Sequence, residues 1–344
     1  MQHRWLKPYE FWNPRLFEAP FYVYLAWQCL RNGIAVRDLA KANFSLDHGE
    51  IGIGSKFHTQ QQFSQALFLP TVLLSSDSSA LQRLHNITAF AEQFAYPIIL
   101  KPDLGMVGKG ILKISSYAEA QLRVADIQGA YLLQQYCPLP EEYGVFYVRQ
   151  QGRPRITGIN RKHFPFVIGN GRDSLLTLAQ NHYRYTEHWT SFLQYLETSQ
   201  IPSNNEKVQL SFIGSHTMGC MFTDDSQLLT ENLERAIFGV CEPQQGFNFG
   251  RLDVRAASEG ALLRGEFKVI EINGVSSLPT HMFDPSKSIW QAYKIFFEHG
   301  RYLASIAREY RNVPMHLLPL RQVLLKVRES QAELDRIHNQ LRQG

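Results

Sequence analysis

Cysteine is scarce in this chain. Cys29, Cys137, Cys220 and Cys241 lie far apart in 344 residues and form no CxxC pair. Such spacing argues against a zinc site or a disulfide framework and fits a reducing compartment. Long apolar runs are also missing. The longest in the first third, Ala19 to Leu30, is too short to span a bilayer and lacks the order of regions of a signal peptide. A cytoplasmic location is therefore expected. The net charge of +4 is small and scattered, which gives no reason to expect a nucleic-acid partner. The chain has no internal repeat and no low-complexity tract. What remains, 44% hydrophobic and 19% charged residues, is the balance of a globular protein large enough for two or three subdomains.

The most informative stretch is YPIILKPDLGMVGKGILKI, from Tyr96 to Ile114. It reads as an apolar strand ending in Lys101-Pro102, a turn carrying Gly105, Gly108, Lys109 and Gly110, and a second apolar strand. Glycines let backbone N–H groups approach phosphate oxygens closely, and a lysine at the strand end supplies a point charge. A plain hairpin with a mobile tip has the same pattern.

Four segments follow from composition and periodicity. Residues 1–53 are rich in aromatics, with Trp5, Tyr9, Phe11, Trp12, Phe17, Phe21, Tyr22, Tyr24 and Trp27 interleaved with Arg4, Lys7 and Arg15. A helix is expected there from about Pro20 to Arg31, stopping at Asn32-Gly33. These rings either pack on the rest of the protein or, over residues 1–30, meet a membrane or lipid surface. Residues 54–136 and 137–311 read as two α+β subdomains. The first has a helix after Ser55-Lys56 running to about Leu69, a second over Ser78–Phe94, and strands at LPTVLL, around the glycine turn and at AYLLQQYC. The second alternates like paired strands over Tyr143–Arg149 and Arg155–Arg161. It has helices over Asp173–Tyr183 and His188–Leu196, strands near Val208–Gly214, Asn248–Ala256 and Phe267–Ile272, and a long helix over Ser286–Tyr310. Residues 312–344 form a charged helix with Leu320, Val327, Leu334 and Leu341 seven apart, suited to a short coiled coil or to packing on its own domain. A homodimer is left open.

The segment FGRLDVRAASEGALLRGEFKVIEINGVSS holds acids on apolar strands. Glu271 and Asn273 are two apart and so project to one face. Arg251 and Asp253 do the same. Carboxylate and amide oxygens converging from adjacent strands suit a hard cation that carries nucleotide phosphates. The bland reading is a surface hairpin.

Together these motifs resemble the ATP-grasp superfamily, and within it the D-alanine–D-alanine ligase and cyanophycin-synthetase type of carboxylate–amine ligases, over residues 54 to 300. The segment SKFHTQQQFSQALFLPTVLL is similar to the family's entry motif. The resemblance implies an α+β ATP-grasp fold, two subdomains clamping ATP. It implies Lys56 and Lys101 as phosphate contacts, Gly105 to Gly110 as the flap, and Gln134, Gln135, Tyr136 and Cys137 as the adenine hinge. Glu142 matches the ribose acid, while Arg161 and Lys162 are further phosphate contacts. Asp253, Glu271 and Asn273 would hold two Mg²⁺, with Mn²⁺ as a substitute, and Arg251 would steady the acyl phosphate. The implied reaction activates a small carboxylate with ATP and joins it to an amine. FVIGNGRDSLLTL is similar to a signature of the cyanophycin-type members, with Asn170 where they carry an acid.

The chain departs from that type in having only about fifty aromatic-rich residues before Lys56, the first of the two implied phosphate lysines, so the substrate does not carry over. Ser276, Ser277 and His281 are substrate-side candidates, although for His281 a plain structural role is the better reading. Two rival readings use the same residues: an ATP-grasp kinase, and a non-catalytic nucleotide-binding module docked at the inner membrane surface.

Overall fold

The structure, a computed structural model, describes residues 8–51, 54–105, 108–185 and 196–341. It is α+β, built on two antiparallel sheets that border one cleft. The first sheet contains β1 (Thr71–Leu74), β2 (Ile98–Pro102), β3 (Leu112–Ile114) and β4 (Tyr131–Gln135), in the order β1-β4-β2-β3. The second has β5 (Glu141–Gln150), β6 (Arg153–His163), β9 (Met221–Asp224), β10 (Phe249–Ala256) and β11 (Lys268–Asn273), ordered β11-β10-β5-β6-β9. A small ribbon pairs β7 (Phe166–Ile168) with β8 (Lys207–Gln209).

Strand alternation decides what faces the cleft. On β10, Leu252, Val254 and Ala256 enter the core while Arg251, Asp253 and Arg255 line the cleft. On β5, Tyr143, Val145 and Tyr147 point into the same core and Glu142 points the other way. That core is closed from below by the helix Glu231–Cys241 through Leu233, Ile237, Val240 and Cys241. The expected strand over Val208–Gly214 shortens to β8, and β9 and the helix Glu231–Cys241 form where no element was anticipated.

The first helix, α1 (Pro14–Asn32), starts earlier than expected. Asn13 accepts from the Arg15 N–H, Pro14 occupies the first position, and Gly33 ends the helix in the left-handed region. Pro20 is tolerated inside because packing on a later helix, Ile289–Glu309, fixes the face carrying Phe17 and Phe21. The Phe21 and Phe296 rings stack at 3.8 Å. The aromatics of the segment therefore divide. Phe17 and Phe21 are core, Tyr22 and Trp27 are exposed, and Trp5 lies outside the described residues.

α2 (Lys56–Gln61) is capped by Ser55 and is shorter than expected, with a 3-10 turn at Gln65–Leu67. α3 (Ala80–Phe94) carries a Ser79–Gln82 capping box. The expected helix over His188–Leu196 falls almost wholly outside the described residues. The C-terminal helix, Leu320–Leu341, packs on its own protein: Leu334 is buried and Ile337 joins the core of the first sheet. Leu320 and Leu324 stay exposed, so the heptad is broken as a packing stripe.

Candidate active site

A β-bulge joins the two sheets across the cleft. The β10–β11 register pairs Asp253 with Glu271 and Val254 with Val269, so Ile270 is skipped. Its carbonyl accepts from Lys101 Nζ of β2 at 3.2 Å and from Gln134 Nε2 of β4 at 3.2 Å. Both donors are buried. Burial pulls the Lys101 amine below its ordinary pKa, against the pull of Glu271.

Asp253, Glu271 and Asn273 face the cleft together. Arg251 forks onto Asp253 at 2.7 and 3.0 Å, and Lys162 Nζ lies 3.3 Å from the same carboxylate. Lys56 Nζ lies 2.9 Å from Glu271 and also donates to the Gly105 carbonyl of the glycine turn. Burial alone would raise the Glu271 pKa, but Lys56 and Lys101 outweigh it and hold the carboxyl at about 2. Asn273 Nδ2 reaches Asp253 at 3.4 Å. The three side chains suit Mg²⁺, because they offer hard oxygen donors where protein cations already gather. Among the described residues no cluster of three His, Cys, Asp or Glu could hold a metal, so an ion here would need phosphate oxygens as well.

Glu142 borders the cleft, but both its oxygens are engaged. Lys162 Nζ takes one at 2.8 Å and Arg255 Nε the other at 2.8 Å. Burial pushes the acid up; Lys162 and Arg255 prevail and hold it at about 2. Arg255 also donates to the Cys137 carbonyl at 2.9 Å. Gln135, Tyr136 and Cys137 line the cleft, and the Lys113 ammonium sits over the Tyr136 ring. Around the glycine turn, Gly108 and Gly110 have positive φ, and a Cβ on either would collide with Ile213 or Pro102. Gly105, Gly108 and Lys109 line the cleft, whereas Gly110 packs against Pro102 and Ile337 behind it. Lys109 pairs with Asp335 of the C-terminal helix.

Arg161 is a correction. It adjoins Lys162 on β6, so alternation sends it to the opposite face, where it binds Glu141 at 2.8 Å and Glu259 at 3.0 Å. Asn170 is a turn residue whose side-chain oxygen accepts from the Arg172 and Asp173 N–H groups. Ser276 and Ser277 line the cleft. His281 is buried against Phe146, and burial lowers its pKa to about 4.

Sequence reasoning missed Arg255, Glu50 and the pair Glu10–His216. Arg255 was legible as the next alternate position after Arg251 and Asp253. Glu50 is buried, lines the cleft and has a left-handed backbone; burial raises it to about 7, moderated by Lys56. Nothing in its sequence context marked it.

No family model matches the chain, and no curated protein matches it in sequence. Solved structures do resemble it. D-alanine–D-alanine ligase from Bacillus anthracis aligns with TM-score 0.41 and 11% identity over 84% of this chain and 71% of that one. D-alanyl-alanine synthetase A from Vibrio cholerae O1 biovar eltor gives 0.40 and 13%, over 76% and 65%. A bifunctional glutathione synthetase from Pasteurella multocida gives 0.37 and 17%, over 71% and 36%. The chain thus spans about a third of the length of the glutathione synthetase and just under two thirds of the Vibrio enzyme. At these scores the likeness carries no argument about reaction or residues. The protein is α+β, and these three ligases are among the solved structures to which it is similar.

Proposed function

We propose that the cleft is the active site of an ATP-dependent carboxylate–amine ligase. One observation carries this reading: Lys56, Lys101, Lys162 and Arg251 meet Asp253, Glu271 and Asn273 in one cleft beside a glycine turn. Four cations around three oxygen donors are what a bound polyphosphate needs, and neither sheet supplies them alone.

In this reading a substrate carboxylate attacks the γ-phosphorus of ATP and ADP leaves. The amine, after its ammonium form releases a proton to solvent, attacks the acyl phosphate, loses a second proton, and inorganic phosphate departs. Lys101 and Lys162, both buried and fixed, orient the polyphosphate. Lys56 links the flap carbonyl of Gly105 to Glu271, so flap position and charge at the site change together. Asp253, Glu271 and Asn273 would hold Mg²⁺ or Mn²⁺, which supplies charge stabilisation at the phosphates. Arg251 steadies the negative oxygen of the acyl intermediate. Residues Gln134 to Cys137 form the wall for the base. Glu142 serves as the anchor of Lys162 and Arg255. Residues 54–136 and 137–311 act as the two clamping units.

Incubation with ATP, a panel of carboxylates and amines, and Mg²⁺ tests the reading. ADP with inorganic phosphate, dependent on both substrates, is expected. A stable phosphorylated product would make the protein a kinase, and no turnover would leave a binding module.

A peripheral membrane contact through α1 is part of this proposal. Leu16, Val23, Trp27 and Leu30 recur on one stripe of the helix and are exposed, with Leu16 at 73% and Leu30 at 79%. Arg31 stacks over Trp27 at its edge. An apolar stripe with aromatic and cationic margins suits the headgroup region of an anionic bilayer.

A further inference from the structure

The cleft, about 480 Å³, extends past the phosphate cluster to an end built by the N-terminal segment. Tyr9, Trp12 and Phe17 line it together with Phe283. Tyr9 is held by its hydroxyl, which donates to the Met282 carbonyl at 2.7 Å, and Phe17 packs on both Tyr9 and Phe283. Amid these rings sits Glu10, whose side chain is only 7% exposed. One of its oxygens accepts from both Arg184 nitrogens at 3.2 Å and lies 2.9 Å from His216 Nε2. All three of these contacts fall on the one oxygen, Oε2. Burial acts to raise the Glu10 pKa, yet His216 and Arg184 bring it below the ordinary value, so the group is an anion.

Charge divides the cleft in two. Lys56, Lys162 and Arg251 pair with Glu271, Glu142 and Asp253, and Lys101 with the Ile270 carbonyl, all at the phosphate end. At the aromatic end the bordering titratable groups are two acids, Glu10 and Glu18, and His216, and Glu10 is paired with both His216 and Arg184. An anionic wall faced with Tyr, Trp and Phe rings attracts a cation twice over, through the carboxylate and through the ring faces. It does not suit a second anion.

We infer that this end is the amine subsite, that its ligand is a primary ammonium carried on an aromatic or apolar body, and that Glu10 is the counter-ion. The inference rests on the ligase reading for its functional meaning. A polyphosphate and an ammonium would then enter one cleft from opposite poles, which keeps each out of the other's place.

Direct binding without ATP tests the subsite separately from turnover. The full chain is titrated with phenethylamine and with its neutral isostere 2-phenylethanol, by calorimetry or ligand-observed NMR. Saturable amine binding, weaker by about tenfold for the alcohol and for Glu10→Gln, is expected. Because Glu10→Gln leaves Arg184 without its counter-ion, Trp12→Ala serves as a second variant that keeps the ion pair. It should weaken both probes. Equal binding of amine and alcohol, no saturable amine binding to the wild type, or wild-type affinity in either variant would overturn the inference. ADP formation with an amine that is indifferent to Glu10 would remove the subsite and leave the ligase reading standing. Amine binding without any turnover would do the reverse.

Discussion

Asp253 and Glu271 stand opposite one another as partners in the β10–β11 ladder, and each holds a cation of its own: Arg251 on the first, Lys56 on the second. The two acids sit side by side because the pairs beside them are of opposite sign. In the proposed reaction those cations transfer their attention to phosphate, and the acids are left to a metal ion.

Glu271→Gln should lower ADP formation by about a hundredfold or more, with circular dichroism and Tm close to wild type, since Lys56 keeps the Gly105 carbonyl as a partner. Asp253→Asn should act in the same direction. Near wild-type turnover in either variant at saturating substrates would remove the metal role.

Lys101→Ala should weaken binding of a non-hydrolysable ATP analogue by about tenfold, because it deletes a buried charge from the phosphate end. Lys56→Ala should reduce turnover more than affinity, as its contacts are the flap and Glu271. Calorimetry decides, and unchanged affinity in Lys101→Ala excludes the phosphate contact.

Glu142 gives a pH dependence with a definite sign. Its folded carboxyl lies at about 2 against an ordinary 4.5, so the folded state binds fewer protons. Its contribution to stability is fully present above pH 4.5 and is lost as pH falls towards 2. Glu142→Gln should cost about 3–5 kcal/mol at pH 7, because two buried cations lose their partner. It should also flatten the fall in stability over that acid window. Urea unfolding at several pH values measures both, and an unchanged slope contradicts the assignment.

The C-terminal helix should restrain the glycine turn. Leu334→Ala should cost about 2–5 kcal/mol as a core deletion. Asp335→Ala should cost under about 1 kcal/mol, since the pair with Lys109 is partly exposed, yet it should speed amide exchange at residues 108–110. Unaltered exchange there would show that the helix packs beside the turn without holding it.

Membrane contact is tested by co-sedimentation with anionic liposomes. The intact protein should bind, and Val23→Glu/Trp27→Ala should not, with both proteins equally folded. Equal sedimentation of the two, or none by the intact protein, rejects the stripe as a membrane surface.

Where alternation governs, the sequence was readable. Arg251, Asp253, Glu271 and Asn273 share a face because they are spaced by two, and the structure puts them on one wall. The same rule, applied to neighbours, would have separated Arg161 from Lys162 at once. What could not be read depends on long-range partners. The Ile270 carbonyl is freed by a bulge whose position is set by a strand seventeen residues upstream. Glu142 looks like an open acceptor until β6 and β10 bring Lys162 and Arg255 to it. Glu10 lies in a segment whose aromatic composition drew attention from its acid, and its partners come from residues 184 and 216. The end of α2 and the existence of β9 likewise depend on tertiary neighbours rather than local propensity.

The Arg255 contact to the Cys137 carbonyl has a thermodynamic corollary. Through Glu142 it ties the proposed base wall to Lys162, and through Lys162 to Asp253. A ligand that shifts the hinge backbone therefore changes the counter-charge available to the phosphates, and the converse holds by reciprocity. Base and polyphosphate should not contribute independently to affinity: adenosine and tripolyphosphate, measured separately, would each leave this wire of charges slack, and only the joined nucleotide would draw it tight.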